Sequence, residues 1–379
     1  MCHLIYTDTF YMKRKWIRWV SWILLTPIIL FVILMVLLYV PPVQNLLRRE
    51  VTAYASKATG MQIQVERIDL RFPLNLLVRG VEVIQQPDTL LSLESLNVRV
   101  QAWPLIKGKV EVDEVTLSRV AVNSADLMEG MKIKGVLGRF FLQSHGVDLS
   151  NELAVINQVE LSDTHVQLLM NDTTTTPKDT TASAPINWKV ALHQLKLKNV
   201  SFSMQLPADS MRMAAHIGEA AIDDAQADLK NQYYDLKKFL LSGTSASYDT
   251  GTAQPAEGFD ASHIAVRDIR IALDSLLYKG RDMNAVIREF TMNERSGLSV
   301  TSLTGRAYSN DSVICVPGLK LNTPHSEIDL SAHTYWELVN IPTTGRLSAR
   351  LNAYIGKEDV MLFAGGLPES FKEAYPFRP

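Results

Sequence analysis

Four stretches of the chain repeat one twelve-residue pattern: DEVTLSRVAVNS at 113–124, NQVELSDTHVQL at 157–168, HQLKLKNVSFSM at 193–204 and SHIAVRDIRIAL at 262–273. Apolar residues fill the third and fifth places of each copy: Val115 and Leu117, Val159 and Leu161, Leu195 and Leu197, Ile264 and Val266. They return at the tenth place as Val122, Val166, Phe202 and Ile271. Alternation of period two marks a strand. The step from place five to place ten is odd, so a regular strand would throw these residues to opposite faces. A single apolar face therefore requires a turn, bulge or bend near residues 119, 163, 199 and 268. Such bulges bend a sheet, so the pattern predicts a curled wall whose apolar residues share one interior, each in register with its counterparts in the other copies.

The copies begin 44, 36 and 69 residues apart. Repetition at irregular spacing suggests an extended β structure stacked along one axis. The plainer alternative is that any antiparallel protein yields alternating strands. Period two begins at Met61 with QIQVERIDLRF and continues through VRGVEVI, LSLESLNVRVQAW and KGKVEVDEVTLSRVAV, with Pro73, Pro87 and Pro104 between runs. It returns in LSVTSLTG, SEIDLSAHTYWEL and GRLSARLNAYI. Helical spacing is rare. Val43, Leu46, Leu47, Val51, Tyr54 and Ala58 have it, ahead of a Gly60 cap. Residues 232–241 and 367–375 are expected to be short helices. The polar segments 171–187 and 242–260 read as loops inserted in the sheet, the first dispensable for stability.

From Trp19 to Val40 the chain carries no charge. These residues would span roughly 33 Å as a helix, against ~30 Å for a bilayer core. This is an expected uncleaved membrane anchor. Lys13, Arg14, Lys15 and Arg18 precede it, which places the N-terminus in the cytoplasm and exports the rest. The competing reading is cleavage after Ala55, but the Ala53-Tyr54-Ala55 site lies far beyond the apolar run. The organisation expected is a cytoplasmic tail at 1–12, with translation beginning at Met12 as an alternative. A basic flank and anchor follow at 13–40, an amphipathic juxtamembrane helix at 41–60, and an exported β region at 61–379.

Motifs of chemistry are missing from the sequence. The formal net charge is −2, which carries no basic footprint for nucleic acid. The eight histidines are scattered, and no zinc, P-loop, dinucleotide or nucleophile-elbow motif occurs. Asp223-Asp224 reads as a solvated turn, and His165 and His193 belong to the repeated phrase, among packing residues, rather than to a ligand set. The expectation is a protein with no enzymatic activity, no cofactor, no metal and no nucleic-acid partner.

A basic tail and an apolar helix lead to KATGMQIQVERIDLRFP at 57–73, LLVRGVEV at 76–83, LNVRV at 96–100 and LIKGKVEVDEVTLSRVAV at 105–122. This succession resembles the opening of the AsmA-like superfamily. Within it the chain is most similar to the TamB-like proteins, the inner-membrane subunit of the translocation and assembly module, in a Bacteroidetes-type version. The resemblance covers residues 13 to about 375 and implies a mainly β fold. One N-terminal transmembrane helix would lead into an elongated curled β-sheet with an apolar groove, standing in the periplasm. It implies outer-membrane biogenesis: protein secretion and assembly, phospholipid transport between the membranes, or both. The partners implied are the inner membrane, phospholipid acyl chains and an outer-membrane barrel of the BamA/TamA type. The residues of the repeated phrase, Val115 through Ile271, would then line the groove. Such proteins continue well past GLPESFKEAYPFRP, so the chain is expected to be a truncated version. The alternatives are another AsmA-like envelope protein, a β-rich periplasmic binding or adhesion protein with a closed core, and an enzyme with an unrecognised site.

Overall fold

The computed structural model describes residues 39–72, 74–85, 88–101, 103–104, 111–124, 130–148, 151–170, 187–340 and 345–363. Helix α1 (Pro41–Thr59) starts on Pro41 and Pro42, whose fixed φ suits a first turn. It ends at Gly60 with φ 70°, where the Gly60 N–H closes on the Ser56 carbonyl. From there the period of two takes over. Strands β1 (Gln62–Arg71), β2 (Asn75–Gln85), β3 (Asp88–Val100) and β4 (Val112–Asn123) are followed by the longest ones. These are β5 (Met131–Asp148), β6 (Leu153–Met170), β7 (Lys189–Leu206), β8 (Met211–Asp228), β9 (Tyr233–Asp249) and β10 (His263–Lys279). The remainder are β11 (Asp282–Glu294), β12 (Ser299–Val300), β13 (Ser302–Ser309), β14 (Val313–Asn322), β15 (Glu327–Tyr335) and β16 (Leu347–Tyr354). Two short helices, α2 (Trp336–Asn340) and α3 (Lys357–Phe363), flank β16.

The fold is mainly β: one long, curled, open sheet of 16 strands in chain order, with only β12 set aside against β11. Neighbours pair antiparallel except β6 and β7, which run parallel. There the second and third copies of the phrase lie side by side, Val159 on Leu195 and Val166 on Phe202. The two edges differ. Side chains of α1 cover the β1 edge: Arg48 donates to the carbonyls of Val65 and Glu66, Gln44 to that of Leu70, and Ser56 accepts the Ile63 N–H. Strand β16 has β15 on one side only, and all its residues are exposed.

Several expectations change. Residues 233–241 belong to β9, with Gln232 in the turn before it, and not to a helix; β9 extends to Asp249, so that the loop starts at Thr250 rather than at 242. Asp223 and Asp224 lie inside β8, not in a turn. The expected anchor lies outside the described residues apart from its last two, as do residues 367–375 and nearly all of 171–187. Among the described residues no helix is long and apolar enough to cross a membrane.

Burial is shallow. Among the described residues no side chain is fully buried, and only seven apolar residues fall in the buried class. The fold is one layer of sheet rather than two packed layers.

Candidate functional site

The side-chain faces are set by a seam of bends. Arg119, Asp163, Asn199 and Asp268 occupy the seventh place of the four phrases, and all adopt left-handed backbone, with φ 48°, 51°, 52° and 54°. The bends required by the parity of the apolar residues are there. Asp and Asn tolerate this conformation better than other residues with a side chain. Gly80 and Gly243 supply it on β2 and β9. From β1 to β8 the bent residue drops out of the ladder together with the residue opposite it, and around Asp268 the register with β9 and β11 shifts instead. The seam runs from Glu66 on β1 through Gly80, Glu94, Arg119, Gly138, Asp163, Asn199 and Gly218 to Gly243 and Asp268 on β10. No member is apolar. Arg119 pairs with Glu94, Asn199 Nδ2 donates to Asp163 Oδ1 at 2.8 Å, and Asn293 Nδ2 donates to Asp268 Oδ2 at 3.2 Å. A second polar line crosses β5 to β8, with Asn157 Nδ2 3.1 Å from His145 Nδ1 and His193 Nδ1 3.1 Å from Asp224 Oδ1. His193 is exposed there rather than packed.

With each bent residue removed from the count, alternation is preserved and the apolar residues fall into rungs across the strands. One rung runs from Ile68 on β1 through Val78, Leu96, Leu117, Phe140, Leu161, Leu197, Ala220, Leu241 and Ile271 to Phe290 on β11. Beside it, Val98, Val115, Leu142, Val159, Leu195, Ile222, Phe239, Leu273 and Ile287 form a second. Beyond the seam, Val122, Gly135, Val166, Phe202, Ala215, Ala246 and Val266 form a third. Ile264 closes a fourth with Leu168, Met204, Met213 and Tyr248.

The sequence-predicted residues thus share one face, but the register of the fourth copy is reversed. Val266 stands on the rung of Phe202, and Ile271 on that of Leu197. The cause is topological: β10 runs antiparallel to β7, because three antiparallel pairings separate them. The true counterpart is β9, where Phe239 and Leu241 precede Gly243 as Leu195 and Leu197 precede Asn199. Phe140 and Leu142 were missed on β5, and Ala220 and Ile222 on β8. The signal for them was an apolar pair two and four residues after a seam glycine, Gly138 or Gly218.

Nothing among the described residues packs on this face. Phe202 is 41 % exposed, Met213 37 %, Leu276 41 % and Tyr278 40 %. At its β10–β14 end, Leu276, Tyr278, Met283, Ala285, Ala307 and Ile314 line a hollow of about 250 Å³. Exposed apolar surface on this scale marks an interaction site.

The titratable clusters elsewhere are structural locks. Asp359 on α3 accepts from the hydroxyls of Thr323 and Ser326, and Ser326 also takes the Gly356 N–H. Burial works to raise the Asp359 carboxyl, but these hydroxyl bonds outweigh it and hold the group below its usual range. Burial likewise opposes ionisation of Glu294, and the bonds from Ser296, Ala265 and Arg295 backbone win. Asp260 is held low by the N–H groups of Ala256 and Ser262, with His263 Nδ1 3.0 Å away. Each carboxylate is consumed by fixing a turn, and among the described residues no hydroxyl, imidazole and carboxylate align as nucleophile, base and orienting group. Among the described residues no cluster of His, Cys, Asp and Glu could hold a metal ion. No protein-family model matches the chain, and no curated protein matches it either.

Proposed function

We propose that this chain is an inner-membrane-anchored periplasmic scaffold of outer-membrane biogenesis, TamB-like in kind, whose apolar face forms a groove for phospholipid acyl chains. The observation that carries this reading is the run of apolar rungs from β1 to β11 with no covering layer among the described residues. Each CH₂ kept from water is worth ~0.8 kcal/mol, so a lipid tail leaves a bilayer only along a lining of this kind. The rungs begin at β1, beside α1, which directly follows the expected anchor. At about 4.8 Å per strand the sheet extends the path roughly 70 Å from there. The sequence has no P-loop, so the driving force comes from another component. An outer-membrane barrel of the BamA/TamA type is the partner proposed at the far end, and the N-terminus is cytoplasmic.

The test is lipid occupancy. Full-length protein purified in mild detergent is extracted and its phospholipid measured by mass spectrometry, for the parent chain, Leu197→Asp and Phe202→Asp. The expected result is stoichiometric lipid in the parent and a loss in both variants. Phe202→Asp should keep its circular dichroism and thermal midpoint, because a side chain this exposed still reaches water. Lipid-free parent protein, or unchanged lipid in both variants, would sink the proposal. Unfolding of Phe202→Asp would instead mark the face as a sealed core.

A further inference from the structure

The opposite, polar face of the sheet carries a hollow of about 660 Å³ over β6 to β11. It exists because the sheet places a patch of small side chains there. Ser201, Ser203, Ala214, Ser245, Ser247 and Ala265 alternate with residues of the apolar face and meet across adjacent strands. Elsewhere on this face the same strands carry long residues such as Lys196, Lys198, Glu219 and Lys238. The backbone is therefore the floor of the hollow, and its polar groups are committed to the ladder.

The rim is cationic and donor-rich. Arg267 from β10 is exposed and makes no ion pair or hydrogen bond among the described residues. By contrast Arg67, Arg99, Arg119 and Arg288 each sit against a carboxylate. Arg295 is oriented by one bond, Nη2 to the His263 carbonyl at 2.8 Å, which leaves its other donors free for the hollow. His165 and His216 share one cross-strand row on either side of Ser201, with His216 Nδ1 2.9 Å from Ser201 Oγ. No carboxylate lines the hollow. Two carboxylates are adjacent in sequence to the arginines: Asp268 accepts from Asn293 Nδ2, and Glu294 is engaged by the N–H groups of Ala265 and Ser296.

We infer that this hollow binds a phosphate ester, with Arg267 and Arg295 on the phosphate oxygens and the serine hydroxyls and imidazoles beside them. Guanidinium forks match phosphate oxygens in pairs, and a volume of this size takes the body of the ester as well as its phosphate. Its charged and hydroxyl groups stand on the strand positions that alternate with the apolar rungs, although Phe202, Ala215, Ala246 and Val266 of the third rung share its lining; the inference rests on those polar groups and stands whether or not the rungs carry lipid. Two sources present this chemistry: a free phosphate ester and a phospholipid headgroup.

Calorimetric titration of the full chain in detergent separates them, with glycerol 3-phosphate as one probe and dihexanoyl phosphatidylglycerol as the other. Saturable binding of at least one is expected, and the tighter names the source. Arg267→Gln should weaken it by about tenfold or more, the loss of one charge-assisted bond. Ser247→Leu keeps every charge and fills the hollow, and should abolish binding. Arg350→Gln, on the exposed strand β16, is the control and should change nothing. No saturable binding of either probe would overturn the inference. So would equal affinity in the parent, Arg267→Gln and Ser247→Leu, since attraction to surface cations alone would give that result.

Discussion

Gly138 carries no side chain because Arg119 and Asp163 bend on either side of it. A Cβ there would stand 2.7 Å from the Asp163 Cβ and 3.0 and 3.1 Å from the carbonyl oxygens of Asp163 and Ser162. Two of these three atoms are backbone, so they do not yield as a side-chain tip would. Gly135, three residues earlier, offers a contrast. Its added Cβ would meet the His165 carbonyl at 3.4 Å and Val166 Cγ2 at 3.7 Å, ordinary contacts in a gap of the apolar face. Gly138→Ala is expected to destabilise by about 1–3 kcal/mol as an overpacking change, and Gly135→Ala to be close to neutral. Thermal unfolding of the two variants checks this. Equal shifts would mean that the seam is not a close approach. The seam was legible at residues 119, 163, 199 and 268 because left-handed backbone and switched parity go together. It was not legible at Gly138, Gly218 or Gly243, because one glycine in a strand pattern does not say which neighbour it admits.

At the scale of the element, the same bends explain the misread segments. On β9 the apolar face takes Tyr234, Leu236, Phe239 and Leu241. Their spacing of two, three and two mixes the periods of strand and helix, because Lys237 falls in the second polar line. SGTSASYD at 242–249 looked like a loop because the close approach of Gly218 to Gly243 and the hollow of the polar face both demand small residues. The reversed fourth copy was hidden because the phrase carries no sign of its direction in the sheet. The parallel pairing of β6 with β7 sets a minimum length for the connection at 171–187, whose sequence is expected to be dispensable. Leu153 pairs with Lys189 and Leu169 with Gln205, so the chain after Met170 must return to the other end of the strand. Along a straight strand that distance is roughly 56 Å. From Met170 to Lys189 there are 189 − 170 = 19 steps, which reach at most ~68 Å. A Gly/Ser replacement of Thr173–Ser183 at equal length should leave the thermal midpoint nearly unchanged. Deleting those residues leaves 19 − 11 = 8 steps, or ~29 Å, too short even if the bends shorten the chord by about a third. The deletion should unpair β6 from β7 and unfold the sheet beyond them. A deletion variant with unchanged stability would disprove the parallel pairing.

Over the whole molecule, each strand but β12 pairs with its neighbours along the sheet order, and among the described residues no second layer ties distant strands together. Stability in such an array approximates a sum of nearest-neighbour terms, as in solenoids, so it should vary along the sheet. The two ends are not equivalent. Strand β1 has its outer edge held by Gln44, Arg48 and Ser56 of α1, whereas β16 is held on one side and is exposed throughout. Pairing is longest from β5 to β10, where each strand has 17 or 18 residues, and the later strands have at most 13. The curled sheet should therefore open from its β16 end. Amide hydrogen exchange of the full chain in detergent reads this directly. Residues 347–354 should exchange close to the rate of an unfolded chain, β13 to β15 more slowly, and β7 to β9 slowest of all. Strand β1 should be protected beyond β16 although both stand at edges, and Arg48→Ala should speed its exchange without affecting β7 to β9. Uniform protection from β1 to β16 would contradict a single layer, because it requires a second surface, from this chain or another, sealing the apolar face along its whole length.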